Sequence, residues 1–249
     1  MENTENVLTV SKAQLIGGIV TRWASYLLFF LIPLTFLPWT INVLEVNKQI
    51  VLVVLTTIAL VAWLGSLVAQ KKIVLRSGIL NIFPFLFLIT VLVSSIFSLA
   101  GFQTWMGQSS QEYTSFLTVA VLVLLFYTLA NTAHETRTQH GLLTALFVSS
   151  AISGLITLFG MLNVFHLPFS FAQSNGFNTV GTINGFVTYM LAVMFLGMAL
   201  WMVSDKKEGN TKSPSSIVMK VSVTLITLIG LFAAVAVDFW VFWVLSIFG

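Results

Sequence analysis

Long apolar runs, with cations confined to alternate gaps between them, constrain this chain more than any other feature. Ten of its eleven Lys and Arg residues fall in one set of gaps. Lys12 and Arg22 precede the first run, and Lys71, Lys72 and Arg76 follow the second. Arg137 follows the fourth, and Lys206, Lys207, Lys212 and Lys220 surround the gap after the sixth. Lys48 alone lies in the other set. A helix of ~20 residues rising ~1.5 Å per residue crosses a hydrocarbon core of ~30 Å, which is about the length of each run. The positive-inside rule then places the cation-bearing gaps, and the amino terminus, in the cytoplasm.

Composition excludes a water-soluble domain. Hydrophobic residues make up 57% of the 249 and charged residues 8%, against about 25% charge in soluble chains. That much apolar surface needs lipid as its solvent. The net charge of +3 comes from cations at helix ends, so membrane lipid rather than nucleic acid is the expected partner. The chain has no cysteine, which excludes disulfides and thiolate metal sites. His134 and His140 bracket the gap HETRTQH without a third ligand, so neither a metal nor a cofactor is expected. Met1–Val10 lacks the basic start of a signal peptide.

The expected fold is an all-α membrane protein with seven transmembrane helices plus a partial eighth, amino terminus cytoplasmic. Residues 1–21 read as an interfacial, cytoplasmic segment and 22–249 as one polytopic transmembrane domain. The spans are Arg22–Leu37, Lys48–Ala69, Ile79–Leu99, Thr114–Ala133, Leu142–Val164, Asn184–Val203 and Ile217–Val237. Pro33 and Pro38 predict a kink and an irregular outer end for the first. The apolar stub after Asp238, FWVFWVLSIFG, covers only ~16 Å at helical rise and cannot cross. The chain is therefore expected to stop within an eighth helix, as a fragment or split protein would; a membrane-dipping tail is the alternative.

Two outer gaps carry the candidate chemistry. Gly101–Tyr113 and Phe165–Ile183 are rich in amides, hydroxyls and aromatic rings, groups that suit sugars but also furnish ordinary outer loops. Glu112 and His166 are the candidate catalytic pair, an acid and a base able to activate a hydroxyl; both also read as solvated loop residues. Lys48, at the head of the second span, reads as a contact for a lipid-linked phosphate or as a residue reaching the headgroups. Asp238, between two apolar stretches, reads as a substrate contact or a simple turn. Ser149, Ser153 and Gly154 in the fifth span, and Gly181 with Gly185 before the sixth, read as small residues for close helix packing. No Gly-rich phosphate loop or intramembrane charge ladder appears, which weighs against transport.

The order of features has a family likeness. Pro33 and Pro38 close the first span, and Glu45 and Lys48 open the second. A span ending VSSIFS leads into GQSSQEY, and NTVGTINGFVTYM opens the sixth span. Together they resemble the amino-terminal half of the O-antigen ligase and polymerase superfamily of bacterial membrane glycan transferases, over nearly the whole chain. The best local match is Gly181-Thr182 with Asn184 and Tyr189; Gly185-Phe186 stands where the family has a second Asn and a proline. The resemblance implies a multi-pass protein of the bacterial inner membrane that transfers or polymerises glycans carried on undecaprenyl diphosphate at the outer face. It implies no cofactor and makes Asn184 a substrate contact. The arginines and histidine that serve such chemistry lie in later loops of the family, whereas Arg22, Arg76 and Arg137 here face the cytoplasm. The expectation is a scaffold without its catalytic half, complemented by a second polypeptide. A non-catalytic membrane subunit and a small-molecule or lipid transporter are the alternatives.

Overall fold

A computed structural model describes residues 12–40, 43–70, 78, 81–107, 112–204, 214–237, 240 and 244. Every regular element among them is helical: α1 (Lys12–Leu31), α2 (Glu45–Gln70), α3 (Ile82–Ile96), α4 (Phe102–Met106), α5 (Phe116–Thr132), α6 (Thr136–Met161), α7 (Ile183–Ser204) and α8 (Pro214–Val237). Single 3-10 turns lie at Glu112–Thr114 and Ser170–Ala172. Among the described residues, five helices are long and apolar enough to cross a membrane, in Gln14–Leu31, Glu45–Gln70, Thr136–Met161, Ile183–Met202 and Ile217–Val237. The expected third and fourth spans correspond to shorter helices, α3 of 15 residues and α5 of 17. At ~1.5 Å per residue these cover about 22 and 25 Å, less than a full hydrocarbon core. The expected break between residues 21 and 22 falls inside a helix, because α1 runs unbroken from Lys12. Asp238 and most of the expected partial eighth helix lie outside the described residues.

Helix α2 exposes an apolar face that a helix in water would bury. Ile50, Val54, Ile58, Val61, Leu64 and Val68 form an exposed stripe, recurring every three or four residues as one helical face does. Leu52, Thr56, Ala59, Trp63 and Ser66 form the buried face. A continuous exposed aliphatic stripe beside a buried face that holds two hydroxyls is compatible with lipid, since lipid gives apolar groups no reason to hide.

The described residues divide into two compact units: Met1–Leu28 with Leu52–Thr138, and Phe29–Val51 with Gln139–Gly249. In the first, α1 and α2 approach closely through small residues. A β-carbon added at Gly17 would lie 2.7 Å from the Ala62 carbonyl oxygen and 2.9 Å from Ser66 Cβ. The buried Thr21 hydroxyl lies 2.8 Å from the Gly17 carbonyl and 3.2 Å from that of Ala59. Arg22 pairs with Glu135 at 3.0 Å. Helix α3 packs on α5, where Tyr127 donates to the Asn81 carbonyl at 2.6 Å.

The second unit is built on α6, α7 and α8. Phe147, Phe186, Val187, Met190, Ile226 and Ala234 form its fully buried centre. Gly154 brings α6 against this core, since a β-carbon there would lie 3.1 Å from Met190 Cε and 3.2 Å from Ile229. The expected close packing is thus met at Gly154, whereas at Gly181, expected to serve it as well, a β-carbon would meet nothing within 4 Å.

Candidate functional site

Pro33 sets the local problem that the second unit solves. A proline has no N–H, so the carbonyl four residues before it, Phe29, loses its helical donor. Helix α1 ends at Leu31, whose carbonyl accepts from the amides of Leu34 and Thr35. The Ser149 hydroxyl of α6 lies 3.3 Å from the Phe29 carbonyl and 2.9 Å from its own Leu146 carbonyl, and its single proton serves one at a time. The Thr179 hydroxyl donates to the Pro33 carbonyl at 2.7 Å and lies 2.7 Å from Ser153 Oγ. Side chains from α6 and from the α6–α7 connection thus satisfy backbone that a broken helix leaves open, as burial requires.

That connection is held by its own asparagine. Asn178 Oδ1 accepts from the amides of Val180 at 3.0 Å and Gly181 at 2.8 Å, while Nδ2 donates to the Gly181 carbonyl at 3.0 Å. The turn requires Gly181, whose φ of +150° is costly for residues with a β-carbon. Thr182 then caps α7, its hydroxyl accepting from the Gly185 amide at 3.1 Å. With its backbone tied down, the loop presents the carbonyls of Thr179 and Val180 to Lys48. The ammonium donates to them at 2.5 and 2.6 Å. Two of its three donors are therefore used by backbone.

Beside this network four phenylalanines cluster. Phe36 meets Phe169, Phe171 and Phe177 edge-on at 6.2, 6.3 and 6.4 Å, and Phe169 stacks on Phe171 at 5.4 Å. Gln173, Ser174 and Asn175 stand exposed in the same segment. The ends of α1 and α6 and the starts of α2 and α7 thus carry one connected arrangement of rigid loop, aromatic rings and exposed amides.

Of the residues expected to act, Lys48, His166 and Asn184 belong to this unit, while Glu112 lies in the turn Glu112–Thr114 of the other. The expected acid–base pair is therefore divided between units. His166 Nε2 is buried without a hydrogen-bond partner among the described residues. Asn184 is exposed in the first turn of α7, where its carbonyl accepts from the Thr188 hydroxyl at 2.9 Å. Asp238 lies outside the described residues. Composition alone missed Asn178 and Thr179, which are 1% and 0% exposed and face inward. Pro33 was the available signal, since it announces a carbonyl in need of a donor. No group of three or more His, Cys, Asp or Glu side chains able to hold a metal occurs among the described residues.

All-helical architecture, lipid-compatible faces and a polar seam inside define a helical membrane protein. No protein-family model, curated protein or solved structure matches the chain.

Proposed function

We propose that the chain is the amino-terminal membrane part of an O-antigen ligase- or polymerase-like protein, handling undecaprenyl-diphosphate-linked glycans at the outer face of the bacterial inner membrane. In this reading the chain has seven spans, with α3 and α5 completing the count. Its amino terminus is cytoplasmic. The observation that carries the proposal is the anchored α6–α7 connection. Its aromatic cluster and exposed Gln173, Ser174 and Asn175 offer stacking faces beside neutral donors and acceptors, the combination sugars engage. The cation-poor set of gaps includes this connection, which supports an outer location. The order of motifs from Pro33 to Tyr189 supports the family.

Photo-crosslinking tests the proposal. The purified protein in lipid nanodiscs is exposed to a photoreactive polyprenyl-diphosphate oligosaccharide, and crosslinked peptides are mapped by mass spectrometry. Crosslinks concentrated in Phe165–Ile183, and displaced by the unlabelled glycolipid, are the expected result. Labelling spread evenly over α2 and α8, or undiminished by competitor, would contradict it. A second reading, a non-catalytic membrane subunit, is favoured by one observation: Lys48 spends two of its donors on backbone carbonyls.

A further inference from the structure

We infer that the carbonyls of Thr179 and Val180 form a monovalent-cation site whose resident cation is the chain's own Lys48 ammonium. The two oxygens converge on one point, lying 2.5 and 2.6 Å from Nζ. Successive carbonyls aimed at a common point repel one another unless positive charge lies between them, and rings of such carbonyls replace the hydration shell of bare cations in channel filters.

The lysine does not hold the convergence by itself. Asn178 fixes the amides of Val180 and Gly181. The Thr179 hydroxyl lies on the Pro33 carbonyl and against Ser153. The carbonyl pair therefore persists when the lysine side chain is cut away, leaving a preorganised site for a free cation. Glu45 precedes Lys48 by three residues on α2, so the two share a helix face and a carboxylate adds negative charge on that side. One carboxylate and neutral carbonyls suit a single positive charge, whereas divalent ions favour several carboxylates. The ligand class is therefore an alkali ion or ammonium. Tethering explains why the native chain needs none from solution, because an attached ammonium competes at high effective concentration. This inference stands independently of the glycan reading.

The test uses Lys48→Ala in detergent, with thermal unfolding measured at constant ionic strength against choline, sodium, potassium, ammonium and ethylammonium chlorides. Lys48→Ala is expected to unfold several degrees below the native protein in choline. Ammonium or one alkali ion should recover most of that loss along a saturable curve, while the native protein shows no such response. Equal behaviour in all five salts, or an equal response from the native protein, would overturn the inference. Should Lys48→Ala be unrecoverable in choline, recovery only from buffers containing ammonium or one alkali ion supports the site, and recovery from none overturns it. Asn178→Ala in the Lys48→Ala background removes the loop's own brace and is expected to abolish the ion response. A response that survives it would assign the effect to another place on the chain.

Discussion

Gly17 and Gly18 are neighbours on α1 with opposite surroundings. A β-carbon at Gly17 would press on the Ala62 carbonyl at 2.7 Å, whereas one at Gly18 would meet nothing within 4 Å. Gly17→Ala is expected to destabilise by about 1–3 kcal/mol, the usual cost of overpacking. Gly18→Ala is expected to be neutral or to stabilise by up to ~1 kcal/mol through helix propensity. Thermal unfolding of both variants in detergent checks the contrast, and an equal response would remove the close α1–α2 approach from the account. Thr179 is the corresponding polar case. Thr179→Val keeps the shape but leaves the Pro33 carbonyl without its 2.7 Å donor, at an expected cost of about 1–3 kcal/mol. Thr179→Ser retains the hydroxyl and should lose less. Unfolding midpoints in that order are the expected outcome.

The helices were largely legible from sequence because lipid imposes one rule on every span: enough consecutive apolar residues to match its thickness. α2 and α8 follow that rule closely, and their bounds lie near the expected ones. α1 departs from it at both ends. Arg22 reads as the start of the first span, but one cation does not break a helix, and α1 already begins at Lys12. At its other end Pro33, rather than loss of apolar character, decides where the helix stops. α3 begins at Ile82 and ends at Ile96, although the apolar run continues to Leu99, because hydropathy measures lipid solubility and not backbone hydrogen bonding.

The site was less legible. Amides and hydroxyls between Phe165 and Ile183 were visible, but their direction depends on partners far away in the chain. Asn178 turns inward to close its own loop, and Thr179 turns inward because Pro33 presents a bare carbonyl. Lys48 reads as a contact for a lipid-linked phosphate or as a residue reaching the headgroups, and its ammonium donates to the Thr179 and Val180 carbonyls, more than 130 residues distant in sequence.

For the chain as a whole, membrane embedding and orientation are separate claims with separate supports. Embedding rests on faces such as that of α2, where Val61 is 63% exposed and Thr56 is 1% exposed. Orientation rests on the ten cations in one set of gaps. The seven-span reading requires α3 and α5 to cross despite their length, which a locally thinned bilayer or flanking residues beyond the helices would accommodate. Were α3 and α5 both to stay on one side, the order of the later helices would be unchanged, because two crossings would be lost together.

Single-cysteine labelling tests the central claim directly, and the cysteine-free chain permits it without background. Cysteines are placed at Asn175 in the α6–α7 connection, at Arg137 in the first turn of α6, and at Val61 on the outer stripe of α2. Intact cells are then treated with a membrane-impermeant maleimide. The account predicts labelling of Asn175→Cys in intact cells, of Arg137→Cys only after permeabilisation, and of Val61→Cys in neither case. Labelling of Val61→Cys would mean that water, not lipid, covers that stripe; labelling of Arg137→Cys from outside would mean that the chain is inserted the other way round.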